Sequence, residues 1–195
     1  MRRRMLTGLA LSALIATTAP ATGSAAPVPA PDRAEPRLTA LVDLAAQRLL
    51  LADEVAAAKY GTDSPIEDPP REREVLDTVA ELSAEAGLDP ADGVRFFRDQ
   101  IEAGKDVQRG LFAEWDAHPE LRPDHRPDLG AEVRPELDRI SAEAVRELRE
   151  TEAVREPTDE CRLDLAASAV TAVFGHRLDA LHRDALTAAA GKICG

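Results

Sequence analysis

Residues 37–60 read RLTALVDLAAQRLLLADEVAAAKY, and the spacing within them decides the fold. Leu41, Ala45, Ala52 and Val55 recur every three or four residues, the period of a helix face turned toward a core. Two cations, Arg48 and Lys59, fall on the same stripe. A charge on a core-facing stripe is costly unless something of opposite sign meets it. Eleven residues make close to three turns, so the two side chains lie on one face about 16 Å apart along the axis. From there both can reach inward toward one small ligand. Each could instead run along the apolar surface to an opposite rim and keep its charge in water.

The helical period continues downstream, punctuated by proline. Gly61, Pro65, Pro69 and Pro70 end the first helix, expected over about residues 37–60. Asp68 before the proline pair reads as an N-cap with proline in the first turn, opening a second helix that runs to about Gly87. Asp89 and Pro90 repeat that signal for a third helix reaching about Trp115. A loop with Pro119, Pro123 and Pro127 leads to a fourth helix over about 128–155, stopped by Pro157. Thr158 or Asp159 can cap the last segment, 160–192, which is expected to be helical with a break near Gly175. No alternating strand pattern or internal repeat is visible, and only 3% of residues are aromatic. The pattern predicts an all-α, single-domain bundle of about six helices.

The other helices also carry polar residues on their apolar stripes. On the third, Val94, Phe97, Ile101, Gly104, Gln108, Leu111 and Trp115 form a stripe broken by glutamine, and Gly104 costs the helix about 1 kcal/mol relative to alanine. Space beside Gln108 therefore has an expected use. On the second, Arg71 heads Val75, Val79 and Leu82; on the fourth, Arg134 precedes Leu137, Ser141 and Leu148. Taken singly, Arg71 can be a solvated first-turn residue, Asp68 a plain cap, Gln108 a backbone partner, and Gly104 a site of close packing. Taken together, four helices send polar atoms inward, and only Asp68 and Glu72 bring negative charge to these stripes. Unpaired internal cations call for an anion, and the anion is read as a substrate.

The 195 residues, 44% of them hydrophobic, suit one sizeable core. Arg2, Arg3 and Arg4 precede an apolar segment from about Met5 to Ala19 and small residues through Ala26. That order predicts a signal peptide over residues 1–26, cleaved near Ala25 or Ala26. The apolar segment is shorter than the ~20 residues a membrane span needs. The paired arginines leave general and twin-arginine export both open. Pro27, Pro29, Pro31 and Pro36 mark a disordered arm over 27–36, and the domain is expected over 37–195. Export places Cys161 and Cys194 where thiols oxidise, so one disulfide is expected, worth roughly 3 to 4 kcal/mol through loop closure. Removing the leader, with its three arginines and no acids, takes the formal charge of −12 to near −15. Nucleic acid and anionic membrane are thus poor partners for the surface, and an anionic small molecule needs an enclosed cluster of cations.

Other chemistry lacks its residues. No HExxH, CxxC or CxxCH occurs, so no metal or cofactor is expected. Nor is there a GxSxG, Walker loop or GxGxxG. His118 and His125 lie in the proline-rich loop, and His176 and His182, with Asp179 between them, read as a solvated helix face. With no nucleophile or tuned acid–base pair, the predicted site must work by positioning and charge.

The ordered segments RLLLADEVAAAKY (48–60), SPIEDPPREREVL (64–76), FFRDQIEAGKDVQRGLFAEW (96–115) and PDLGAEVRPELDRI (127–140) resemble the exported, gamma subclass of AroQ-type chorismate mutases. The likeness covers about 37–194, carried by R-x10-K, D-x-x-R, DQI-x6-Q, R-x-x-L-D and the late cysteine pair. It implies conversion of chorismate to prephenate, a step of aromatic amino acid biosynthesis, without a cofactor. It further implies that Arg48, Arg71 and Arg134 hold the two carboxylates and that Lys59 and Gln108 donate to the ether oxygen. Asp68 and Glu72 would lie around the substrate hydroxyl, with Gly104 lining the pocket. In related intertwined dimers the partner chain completes each site, whereas in this subclass one chain does so and the C-terminal helices carry the disulfide. A homodimer is compatible with the family, and no residue pattern decides it. Three positions depart from relatives: Gly104 stands where serine or threonine is frequent, Val75 where a close type has glutamine, and Gln108 in place of the glutamate of some. A catalytically silent exported module that binds an anionic metabolite or a partner protein would share the fold and the pocket.

Overall fold

Six α-helices make up most of the described part of the chain, residues 36–195 of a computed structural model. The expected signal peptide (1–26) and nearly all of the expected arm (27–36) lie outside the described residues. In chain order the helices are α1 (Thr39–Lys59), α2 (Pro69–Ala86), α3 (Pro90–Ala117), α4 (Arg134–Glu150), α5 (Asp159–His176) and α6 (Ala180–Ala190). All lie in one compact unit, and no described helix is long and apolar enough to cross a membrane.

α1 is the centre of the bundle, packed by α3, α4, α5 and α6. Its burial extends well beyond the single stripe read from the sequence: Leu41, Val42, Leu44, Ala45, Ala46, Leu49, Ala56 and Ala57 are all buried. A helix apolar nearly all round belongs inside a core. Phe97 from α3, Ile140 and Leu148 from α4 and Leu186 from α6 close over it. At the far end of α1, Tyr60 meets Trp115 and Phe112 edge to face, at centroid distances of 5.1 and 5.2 Å, which anchors the turn that carries Lys59.

The helix ends follow their local chemistry. Asp68 accepts from the Arg71 amide, Asp89 from Ala91, Thr158 from Cys161 and Asp179 from His182, each cap contributing about 1 kcal/mol. Gly87 closes α2 in the left-handed conformation, φ 73°, where a Cβ would be strained. Cys161 and Cys194 are joined as expected, 33 positions apart in sequence, tying the start of α5 to the residues after α6.

The break expected near Gly175 is present, at Arg177, φ 56°, with Gly175 itself still inside α5. Two expectations need correction. The fourth helix starts with a wide π turn, Leu129–Val133, before α4 proper, and a 3-10 turn, Glu152–Val154, follows it. Pro135 accounts for the wide turn: its ring clashes with the carbonyl four residues back in a regular helix, and the Arg134 amide bonds to Leu129 instead. Finally, His182 is not a solvated residue. It is buried, with Nδ1 2.9 Å from Asp179 and Nε2 2.9 Å from Asp53 on α1.

Candidate active site

Four helix faces with the same three-four spacing converge on one cavity of about 170 Å³, partly open to solvent. α1 supplies Arg48, Ala52, Val55 and Lys59; α2 and its cap supply Asp68, Arg71, Glu72 and Val75. α3 gives Ile101, Gly104, Lys105 and Gln108, and α4 gives Arg134, Leu137, Asp138 and Ser141. Every residue singled out in the sequence for the site lines this space. The Arg48–Lys59 pair therefore faces one cavity, and the alternative of opposite rims does not describe it.

Arg48 is held from two sides. Its Nη1 donates to Ser141 Oγ at 2.8 Å and to the Leu137 carbonyl at 3.3 Å, while the Phe97 ring lies 5.1 Å from the guanidinium carbon, within cation–π range. Burial pulls its pKa down to about 10, with Asp138 raising it and Arg71 lowering it further, so it stays charged at neutral pH. Its Nε is buried without a hydrogen-bond partner. Lys59 Nζ donates to the Ile66 carbonyl at 3.2 Å, leaving two N–H groups. Burial lowers its pKa; Asp68, Glu67 and Glu72 oppose that shift and Arg134 adds to it.

Arg48, Lys59 and Arg134 form no ion pair among the described residues. Arg71 further lowers the pKa of Arg48, and Arg134 that of Lys59. Arg71 differs from expectation: it pairs with Glu74 at 2.8 Å and approaches Asp138 at 3.7 Å, although both carboxylates are largely exposed and compete weakly with a buried anion.

Asp68 serves as cap and as wall, since its Oδ1 accepts from Arg71 N at 3.1 Å while the residue lines the cavity. Gln108 Nε2 donates to the Gly104 carbonyl at 3.1 Å, and its Oε1 is buried without a partner. A Cβ on Gly104 would sit 4.0 Å from the Ala52 Cβ, an ordinary contact. Gly104 therefore widens the cavity without being forced by packing.

Sequence reading missed two charged members of the site. Lys105 is 8% exposed, with Nζ 3.2 Å from Glu72 and 2.7 Å from Glu102. Asp138, inside the quoted R-x-x-L-D motif, faces Arg71. The signal for Lys105 was present: Ile101, Gly104, Lys105 and Gln108 follow i, i+3, i+4, i+7. The stripe read from Val94 omitted it, because the buried face of α3 lies one step round, through Gly93, Phe96, Phe97, Gln100, Ala103 and Val107.

Known proteins share this architecture. A family model described as chorismate mutase type II matches residues 39–109. The chain is 36% identical over 191 residues to a secreted chorismate mutase of Mycolicibacterium smegmatis, covering 97% of this chain and 99% of that protein. To a secreted chorismate mutase of Mycobacterium tuberculosis it is 33% identical over 159 residues, 81% of this chain and 78% of that one. A chorismate mutase structure from Burkholderia phymatum superposes with TM-score 0.78 at 32% identity, covering 83% of this chain and 98% of the other. One from Burkholderia thailandensis gives 0.76 at 39% identity, covering 81% and 99%.

Proposed function

The chain belongs to the secreted chorismate mutase family, and we propose that the cavity between α1, α2, α3 and α4 is where it rearranges chorismate to prephenate. The observation that carries this reading is the convergence of Arg48, Lys59 and Arg134, from separate turns of the fold, on one cavity with no carboxylate paired to them. A small dianion supplies the missing charge. We infer that residues 1–26 are the export signal and 37–195 the catalytic domain.

The rearrangement is pericyclic: the ether C–O bond breaks as a C–C bond forms, and negative charge gathers on the ether oxygen. No covalent intermediate arises, and the one hydroxyl that the described residues place on the cavity wall, Ser141, is held between Arg48 and the Leu137 carbonyl. Arg48, Arg71 and Arg134 take the two carboxylates and so fix the compact conformer, an orientation effect. Arg48 is already held by Ser141 and Phe97, which removes reorganisation from the binding step. Lys59 and the second Nε2 hydrogen of Gln108 donate to the ether oxygen, preorganised stabilisation of charge that develops only in the transition state. Asp68 and Glu72 lie about the substrate hydroxyl. Gly104 leaves room for the ring.

The test is direct. Purified protein mixed with chorismate should consume its ultraviolet absorbance and yield prephenate at a rate proportional to protein. Loss no faster than in buffer, with the helical fold intact, would leave the silent binding module as the function.

A further inference from the structure

Two side chains on the cavity wall carry complementary atoms left without partners among the described residues. Gln100 on α3 is 3% exposed and lines the cavity. Its Nε2 donates to the Ala189 carbonyl on α6 at 3.1 Å, and because a carbonyl only accepts, this bond fixes which end of the amide is nitrogen. Oε1 is then the free end, buried and unpaired. Arg48 Nε is the opposite case, a buried donor without an acceptor. Helix register sets the two side chains against each other. Gly104 stands opposite Ala52, whose Cβ an added Cβ would meet at 4.0 Å, and Phe112 stands opposite Tyr60, with ring centroids 5.2 Å apart. α1 and α3 thus run in the same direction, and one turn back from Ala52 and Gly104 the same register pairs Arg48 with Gln100. Phe97, a turn earlier on α3, lies 5.1 Å from the Arg48 guanidinium carbon. Gln108, whose Oε1 is also unpaired, lies two turns beyond Gln100, about 12 Å along the axis, level with Ala56 rather than Arg48.

We propose that Gln100 is a positioning residue for Arg48: pivoting on its Ala189 bond, it turns Oε1 onto the Nε hydrogen and holds the guanidinium plane with Nη2 toward the substrate carboxylate. Resting on the catalytic reading of the cavity, this role adds the part that α6 plays in it. Each unpaired buried polar atom carries a penalty comparable to a lost hydrogen bond, and one bond between the two removes both. Ser141 Oγ and the Leu137 carbonyl occupy Nη1, so without a second fixed point the guanidinium can swing about that nitrogen. A bond at Nε supplies the second point and leaves Nη2 for the anion. An amide oxygen suits the task better than a carboxylate, because it takes the hydrogen without neutralising the cation that a dianion needs. No α6 residue lines the cavity, so the hold of α6 on Arg48 passes through Ala189 and Gln100. Asp99, next to Gln100, pairs with Lys192 at 2.7 Å and fastens the same stretch of α3 to the residues after α6, apart from the cavity.

Steady-state kinetics with chorismate test this role. Gln100→Leu keeps the volume and removes both bonds. KM should rise about tenfold, the order expected for a hydrogen bond to a charged group, while kcat changes less, because Arg48 grips a carboxylate in ground and transition state alike. Lys192→Ala loosens α3 from the end of α6 without touching Gln100, and KM should stay at the wild-type value; a merely structural role for Gln100 would move both. Gln100→Glu, should the leucine variant fold poorly, keeps an acceptor but sets a negative charge on Arg48, and KM should rise at least as far. Heteronuclear NMR gives a reading free of turnover: the Arg48 Nε–H proton should lie downfield in the wild type, as a hydrogen-bonded proton does, and move upfield in Gln100→Leu. An unbonded Arg48 Nε–H in the wild type, or a KM that either Gln100 variant leaves unchanged, would overturn the proposal while an active wild type keeps the catalytic reading standing. A wild type that leaves chorismate intact would fail that reading, and this role with it.

Discussion

Lys105 Nζ on α3 donates to Glu72 Oε1 on α2 across 3.2 Å. The same Glu72 oxygen accepts from the Asp68 amide at 3.4 Å, so one buried cation ties α3 to the turn that carries Asp68, Arg71 and Glu72. With Glu102 also at 2.7 Å, Lys105 is fully engaged by carboxylates and stands apart from the unpaired cations. Its place is to hold Glu72 and cancel its charge beside a site for a dianion.

Replacing Lys105 by methionine keeps the apolar stem and frees Glu72. Chorismate then meets an extra negative charge, and KM should rise about tenfold, more than kcat falls. Lys105→Arg should recover most of the loss. Steady-state kinetics on the two variants checks this, and an unchanged KM in the methionine variant would remove Lys105 from any positioning role.

On the proposed reading, Lys59→Ala removes one donor to the breaking ether bond. Loss of such a donor typically lowers the rate by ~10² to 10³. The fold should persist, because Lys59 lies at the last turn of α1 and donates only to the Ile66 carbonyl. Circular dichroism and kcat measured together decide the matter; turnover near wild type would take Lys59 out of the mechanism.

An amide donates at any pH, whereas a carboxyl donates only when protonated. Wild-type activity should therefore show no loss between pH 5 and 8, and Gln108→Glu should become acid-dependent, fading as pH rises through the glutamate titration. On the alkaline side, burial lowers the Lys59 pKa, so wild-type turnover should decline at a lower pH than an ordinary lysine would impose. A pH–rate profile of both proteins tests each limb.

His182 is held by Asp53, its strongest influence, and by Asp179, which together outweigh burial and raise its pKa to about 9. A raised folded-state pKa means the stabilisation is complete below the unfolded value of 6.5 and is lost as pH climbs through about 9. Because both carboxylates are substantially exposed, solvent screening limits the effect to about 1 kcal/mol. Melting temperature should fall about 2–4 °C from pH 6 to pH 9.5, and His182→Asn should flatten that slope.

The sequence by itself determined the all-α class, the caps at Asp68 and Asp89, a third cap narrowed to Thr158 or Asp159, the cysteine pair, and eight of the residues that line the cavity. Those features are local or periodic: a cap depends on one side chain, and a polar residue on an apolar stripe shows at fixed intervals along one helix. Tertiary structure alone decided the rest. That Lys105 is satisfied by Glu72, that Arg71 approaches Asp138 on α4, and that His182 is buried against Asp53 depend on which helices meet and at what rotation. Charge pairing between helices has no period in the chain. A residue's sign can be read from its letter, but its partner is fixed only when packing sets the distance between them.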